Sequence, residues 1–505
     1  MQTASAYSAS TVDPCRLWCY KHRIVGSSSD TLKHFCGVAG IYSPVPANIP
    51  QHLFFPLFSL QHRGQESAGI AYRKDGRTVA YKDLGMVSTV LSRYLSGHRE
   101  STVGIGHVRY STHGGNKLEN AQPLVVQCNK GEVAVAHNGN ISNALQLRER
   151  LVHEGAIFQT SSDTELILHM LSRSRRDSFD TALEDVLEAL EGAYTMVLMH
   201  DDRLFAVRDP NGFRPLFVGY HDGMTIVASE SCALDVLGCT EQRELEPGDI
   251  LVLGPDGEQN RRIKSVGRKR AQCVFELIYF ARPDSRVFGT GVYTARKNMG
   301  RALAEEDRLD GSSGDIVVPV PDSGTTAALG YAEASGIPFD FGLTRNHYAG
   351  RSFIMPTTAE RELAVRMKLH PVTDVIAGKS VMLIDDSLVR GTTARSLVKL
   401  LKRAGAREVH LRLCAPELRW PCFFGIDIPT RDELISNKKS PDEIAAYIGA
   451  DSVRFLDITH LKTVLATPKD FCYACFSGAY PLAVPLTEDE RRKQPRDNEI
   501  LEMEQ

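Results

Sequence analysis

The 505-residue sequence contains no apolar run approaching the roughly 18 residues that a membrane-spanning helix requires. Residues 1–35 also lack the continuous apolar core of a secretory signal. Neither sign of charge is in excess: 59 Lys and Arg face 62 Asp and Glu, a formal charge of −3. The whole-chain balance therefore calls for neither nucleic acid nor membrane as a partner. Low-complexity bias is absent too, since 40 Gly and 24 Pro are far from a collagen-like or disordered composition. With 42% hydrophobic and 24% charged residues, what remains is a folded, soluble, cytoplasmic chain. It is too long for one ordinary core, so two domains of roughly 200 residues each are expected. Eleven Cys are the surplus. A reducing compartment disfavours disulfides and points to metal binding, catalysis or burial.

Texture divides the chain. Residues 1–35 carry Ser and Thr clusters without a period and read as a leader. From Cys36, short apolar runs stopped by turn formers (Cys36 to Tyr42, Val103 to His107, Val133 to Ala136) favour buried strands. Thr164 to Ser172 and Ala182 to Leu190 space apolar residues as amphipathic helices do. A polar, basic segment from Gly254 to Arg270 reads as an interdomain linker or exposed hairpin, with the boundary at 266. Beyond it, Asp315 to Val320 and Val381 to Ile384 are strands, each followed by a Gly-containing loop and a helix (Ala327 to Ser335, Ala394 to Ala404). Glu408 to Leu413 is the next strand, so residues 267–485 form a parallel α/β unit. Residues 486–505 are a charged tail or solvated helix. There is no internal repeat.

The loop after Val381 to Ile384 is the most explicit chemical signal. Asp385 and Asp386 can accept from two ribose hydroxyls or approach Mg²⁺. Ser387, Arg390, Gly391, Thr392 and Thr393 open a helix whose hydroxyls and N–H groups can hold phosphate. A capped βα turn would account for only part of that run. A second Gly/Ser-rich turn, Pro321 to Thr326, again exposes N–H groups at a helix start. Between them Arg345-Asn-His-Tyr-Ala-Gly-Arg-Ser-Phe-Ile354, then Arg361, Arg366 and Lys368, form either a solvated basic face or a lid over an anionic ligand. Cys472-x-x-Cys475 has the spacing of a metal-binding pair, a redox dithiol or two buried thiols; Cys273 and Cys422 are available to complete four thiolates.

The run Val381 to Thr393 resembles the phosphoribosyl-pyrophosphate motif of type I phosphoribosyltransferases. In the first half, Cys36-Gly-Val-Ala-Gly-Ile, Gln61-His-Arg-Gly-Gln-Glu-Ser-Ala-Gly69, Gly106-His-Val-Arg-Tyr-Ser-Thr112, Asn120-Ala-Gln-Pro123, His137-Asn-Gly-Asn140 and Ser162-Asp-Thr-Glu165 recur in the order seen in N-terminal-nucleophile glutamine amidotransferases. Together the halves resemble the glutamine phosphoribosylpyrophosphate amidotransferases, and their iron–sulfur branch in particular. The resemblance implies an α+β glutaminase sandwich of αββα layers over 36–266, then an α/β parallel-sheet phosphoribosyltransferase over 267–485.

It also implies roles. Cys36 is the nucleophile, its α-amine the general base, and Asn138 and Gly139 the oxyanion hole. Arg109 and Asp163 bind the carboxylate and ammonium of glutamine, a pairing that the charges themselves support. Ser323, Asp385 and Asp386 hold one Mg²⁺ per subunit, while Arg345, Tyr348 and Arg351 lie on a closing loop that helps form an ammonia channel. Cys273, Cys422, Cys472 and Cys475 hold one [4Fe–4S] cluster per subunit, with Cys414 the competing ligand. Cys128, Cys232 and Cys239 are left to packing, and His107, His113 and His137 are turn or core residues. The implied partners are glutamine, phosphoribosyl pyrophosphate, purine nucleotide feedback inhibitors and further copies of the chain, as a homotetramer or another homo-oligomer. Because the nucleophile must be residue one, residues 1–35 are expected to be removed as a propeptide. Two rivals would look different: a hexosamine-phosphate synthase would carry sugar-isomerase modules, and a DNA-binding regulator of phosphoribosyltransferase fold would lack the glutaminase half.

Overall fold

A computed structural model of the chain describes residues 36–110, 117–264, 269–348 and 367–486. The leader, His113, Arg351, the 265–268 segment and the tail from 487 lie outside the described residues. The first half is built on two antiparallel sheets. One runs, edge to edge, Glu241–Glu244, Phe217–His221, Met224–Ala228, Gly37–Ala47, Ser101–Arg109, Ser67–Lys74 and Arg77–Leu84. The other runs Gly257–Arg262, Asp249–Gly254, Arg203–Arg208, Gly192–His200, Gly131–Ile141 and Leu124–Cys128.

Strand periodicity explains the stacking. Alternate residues of Gly37–Ala47 face opposite ways, so Val38 and Tyr42 join Ala134, Ala136, Val197 and Leu204 between the sheets. Ala39 and Ile41 instead join Ile49, Leu53 and Leu57 of the covering helix Ile49–Ser59. Close approach needs glycine: a Cβ on Gly106 would lie 2.5 Å from Leu57 Cδ1. Helices Thr164–Arg173 and Phe179–Ala189 cover the second sheet through Leu166, Leu171, Leu183 and Val186. Four layers result, αββα. The basic segment at 254–262 is not a linker: Gly257–Arg262 is the outermost strand of the second sheet, an exposed edge that polar residues suit.

In the second half, Ile316–Pro319, Ser380–Asp385, Glu408–Leu413 and Ser452–Phe455 pair in parallel in that order. Phe339 bridges Val317 in parallel on the free side. In chain order the sheet therefore reads 2-1-3-4-5, and its order reverses between Ile316–Pro319 and Ser380–Asp385. Ligands of open α/β sheets bind beyond the strand C-termini at such a reversal. Both Gly-containing loops leave the sheet at that point. Helices Thr325–Ser335 and Thr392–Arg403 begin at Thr residues of the loops themselves, slightly earlier than periodicity places them.

Candidate functional site

Two sites assemble. In the first, half-buried Cys36 stands immediately before strand Gly37–Ala47 and its thiol donates to the Tyr110 carbonyl at 3.6 Å. Burial pushes that thiol up to about 11 in the chain as it stands, partly opposed by the guanidinium of Arg109. Arg109, 4% exposed, ends strand Ser101–Arg109, and the Glu66 carboxylate lies 4.0 Å from it. Asp163 is close enough to act on the same thiol. It accepts the Ile141 N–H at 3.0 Å and lies 3.7 Å from His137 Nδ1, so it straddles Asn138 and Gly139. Cys36, Arg109 and Asp163 thus converge from the ends of two paired strands and the start of helix Thr164–Arg173.

Asn138 is the informative member. Its residue is fully buried, yet among the described residues neither Nδ2 nor Oδ1 has a hydrogen-bond partner. A buried amide without partners costs about 1–3 kcal/mol, and its persistence fits a donor kept for a reacting oxygen. Gly139 cannot be anything else: its φ is +153° and a Cβ would lie 2.0 Å from the Ala193 carbonyl oxygen. His107 is buried, held neutral by burial with its pKa lowered to about 3, and bonded to the His137 carbonyl at 3.1 Å. It is a core histidine, and His137 is held at 3.2 Å from Thr164 Oγ1.

The second site lies at the sheet reversal. Ser323 Oγ donates to Asp385 Oδ1 at 3.2 Å, and Ser387 Oγ donates to Asp386. The loops can approach this closely because Gly324 has no side chain; a Cβ there would lie 2.2 Å from the Ile384 oxygen. Burial, and then the neighbouring charge of Asp386, push the Asp385 carboxyl well above its usual range. Gly391, at φ +82°, turns the chain into helix Thr392–Arg403. Arg390 is paired with Glu433 at 2.7 Å and Arg345 with Asp322. Sequence reasoning assigned neither acid, since nothing local links Arg390 to an acid 43 residues away. Tyr348 is almost fully exposed.

The four Cys also gather. Cys273 and Cys472 face each other across the short parallel pair Gln272–Cys273 and Phe471–Cys472. Cys475 follows on the next turn, its carbonyl accepting the N–H groups of Arg419 and Trp420 at 3.0 Å. Cys422 Sγ accepts the Phe424 N–H at 3.4 Å. All four thiols are free, and burial raises those of Cys273, Cys472 and Cys475. Cys414 is elsewhere: its backbone bonds Asp385, and its thiol feels Asp386 and Asp385. Among the described residues, no group of three or more His, Cys, Asp or Glu is placed to hold a single metal ion, and no helix is long and apolar enough to cross a membrane.

Family models agree with this division. A glutamine amidotransferase domain matches residues 107–236, and a phosphoribosyl transferase domain matches residues 293–415. An amidophosphoribosyltransferase of Methanocaldococcus jannaschii is 44% identical over 467 residues, 89% of this chain and 98% of that protein. The chain belongs to the amidophosphoribosyltransferase family. A Bacillus subtilis amidophosphoribosyltransferase is 44% identical over 459 residues, 90% of this chain and 95% of that one. The glutamine phosphoribosylpyrophosphate amidotransferase of B. subtilis, solved with ADP and GMP, superposes with a TM-score of 0.82 at 42% identity, covering 90% of this chain and 98% of that chain. Family membership carries the reaction: 5-phosphoribosylamine, glutamate and pyrophosphate from phosphoribosyl pyrophosphate, glutamine and water, the first step of purine biosynthesis.

Proposed function

We propose that Cys36, Arg109, Asn138, Gly139 and Asp163 are the glutaminase centre of this amidophosphoribosyltransferase, and that Ser323, Asp385 and Asp386 head its phosphoribosyl-transfer centre. The observation that carries the reading is the meeting of Cys36, Arg109 and Asp163 beside a buried amide that has no partner among the described residues. The Cys36 sulfur attacks the glutamine carboxamide, the oxyanion is met by Asn138 and the Gly139 N–H, and ammonia leaves. Water then hydrolyses the thioester to glutamate. Ammonia attacks the ribose C1 as pyrophosphate departs. Thr392 and Thr393 hold the phosphate at their helix start, with Gly391 letting the chain turn there, and Ser387 orients Asp386. Arg345, Tyr348 and Arg351 belong to the segment that closes over the substrate and encloses the ammonia.

Two adjacent acids and a serine fit Mg²⁺, since a divalent cation would offset both the burial and the neighbouring Asp386 charge that now raise Asp385. The cation would neutralise departing pyrophosphate; the protein's own part is to aim the ribose hydroxyls. The four Cys fit a [4Fe–4S] cluster. They share one neighbourhood, Cys273 and Cys422 acting on Cys472 and all three acting on Cys475, and four thiolates are the ligand set of such a cluster. A brown protein with broad absorbance after anaerobic purification is expected; a colourless one containing zinc would refute the cluster. We further propose a cytoplasmic homo-oligomer under feedback by purine nucleotides, the ADP and GMP of the solved B. subtilis relative being the support.

The deciding assay is pyrophosphate release dependent on both glutamine and phosphoribosyl pyrophosphate. Cys36→Ala should abolish glutamine use and keep ammonia-dependent turnover; loss of neither would refute the nucleophile. The α-amine can serve as base only if residues 1–35 are removed, so intact mass should place the mature start at Cys36. Glutamine-dependent activity should then rise through an apparent pKa of about 8, the ordinary range of an α-amine. A rise near about 11 would mean that the buried thiol titrates unaided.

A further inference from the structure

Gln122 is 4% exposed, and both ends of its side chain are used. Its Oε1 accepts the His137 N–H at 2.7 Å, and its Nε2 donates to Thr164 Oγ1 at 3.0 Å. A backbone N–H can only donate, which fixes which way the amide points. His137 immediately precedes Asn138, and Thr164 immediately follows Asp163. One buried amide therefore spans the neighbours of the residue assigned to the oxyanion and of the residue assigned to the glutamine ammonium. The Thr164 hydroxyl also lies 3.2 Å from His137 Nδ1, which closes the triangle.

The sheet explains why His137 needs a side chain as its partner. Strand Leu124–Cys128 pairs with Gly131–Ile141 only as far as Leu124 opposite Val135. Past that point the ladder has ended on this side, and a buried backbone group left there must find another partner. Gln122 takes the His137 N–H, and His107 Nε2 meets the His137 carbonyl at 3.1 Å. Alternate residues of a strand turn their backbone groups the same way, so the Gly139 N–H faces the same uncovered edge. Tyr194, opposite Gly139 on the other ladder, gives its carbonyl to the Asp209 N–H, away from Gly139. A strand continued past Leu124 would satisfy His137 but cover Gly139.

Gln122 is held in turn. Lys82 Nζ donates to the carbonyls of its two neighbours, Ala121 at 2.5 Å and Pro123 at 3.3 Å. Gly69 lets strand Ser67–Lys74 pass against it, since a Cβ there would lie 2.4 Å from the Gln122 carbonyl oxygen. Two residues earlier, fully buried Asn120 accepts the Ser161 N–H at 3.1 Å and donates to Ser161 Oγ at 3.1 Å. Asp163 is thus braced on both sides, at Ser161 and at Thr164, from one short span.

We propose that Gln122 is a positioning residue of the glutaminase half-reaction: it stands in for the missing strand at His137 and ties that edge to the start of helix Thr164–Arg173. The oxyanion donors and Asp163 then keep one spacing. The proposal rests on the assignment of the glutaminase centre above. Because a single glutamine must reach both ends, a change in that spacing costs turnover, binding or both.

The full-length enzyme is assayed for glutamine-dependent glutamate release and for ammonia-dependent synthesis. Gln122→Met keeps the length of the side chain and forfeits both bonds. Its kcat for glutamate release should fall about 10- to 100-fold and its KM for glutamine should rise, while ammonia-dependent turnover stays within about 2-fold, the pattern of a misplaced site and not of a lost fold. Thr164→Val cuts only the link to the helix, so the KM for glutamine should rise about 10-fold with kcat changed by less than about 3-fold. Thr164→Ser, which restores the hydroxyl, should recover most of that KM, and this pair decides the matter even if Gln122→Met does not fold. Wild-type kinetics in Gln122→Met, equal loss of both half-reactions, or a Thr164→Ser enzyme no better than Thr164→Val would overturn the positioning role alone. Glutamate release that survives in Cys36→Ala would instead overturn the site assignment on which it rests.

Discussion

Asn138→Ala lowers glutamine-dependent kcat by about 10²- to 10³-fold and leaves ammonia-dependent synthesis intact. The magnitude is that of removing one oxyanion donor; the asymmetry follows from the division of labour between the sites. Because the wild-type amide has no partner to forfeit among the described residues, truncating it leaves no orphaned group and should not destabilise the fold. Asn138→Asp makes a sharper control. It keeps the shape but puts a carboxylate where negative charge must develop, so it should be at least as inactive as the alanine variant. The KM for glutamine should change little in either, since Arg109 and Asp163 are the residues proposed to bind the amino-acid end. A stability loss, with both half-reactions falling together, would show that Asn138 is a core residue.

The same residues show what a sequence discloses. Strands such as Gly131–Ile141 were legible because apolar runs and their turn formers are local. The Asp385 and Asp386 loop was legible because its chemistry is packed into nine consecutive residues ending at Thr393. Asn140 was not: its amide donates to the Phe423 carbonyl at 2.6 Å across 283 positions, tying strand Gly131–Ile141 to the segment that carries Cys422. Phe213 and Phe424, stacked 4.4 Å apart, reinforce that junction. Arg63 was inside a quoted motif but had no assigned role, since the acids it bonds, Glu230 and Glu276, lie 167 and 213 residues away. Charged residues read as solvated faces by default, and only folding reveals which are buried together. The hairpin Asp249–Gly254 to Gly257–Arg262 was ambiguous for a related reason: an edge strand needs no apolar alternation, so its polar sequence matches a linker equally well.

Asp307→Ala should destabilise the second domain by about 3–5 kcal/mol, the range for stripping one partner from a buried ion pair. Asp307 is 1% exposed on helix Val292–Leu309. It accepts hydrogen bonds from Arg412 of strand Glu408–Leu413 and from the Tyr331 hydroxyl of helix Thr325–Ser335 at 2.5 Å, and it is ion-paired with Arg454 of strand Ser452–Phe455 at 2.9 Å. Four elements therefore meet on one carboxylate. Arg412, 1% exposed, cannot reach water when that carboxylate goes, so the penalty is an uncompensated buried cation and not the modest worth of one hydrogen bond. Asp307→Asn should cost less, because the amide oxygen still accepts from Arg412, but it leaves the guanidinium charge unanswered. Chemical denaturation read at the second domain, beside Glu333→Ala as an exposed control whose Arg301 pair at 2.8 Å is solvated and worth about 0–1 kcal/mol, separates the two cases. Equal losses for Asp307→Ala and Glu333→Ala would mean that the junction relaxes to hydrate Arg412. The strands behind the Asp385 and Asp386 loop would then be held by apolar packing alone.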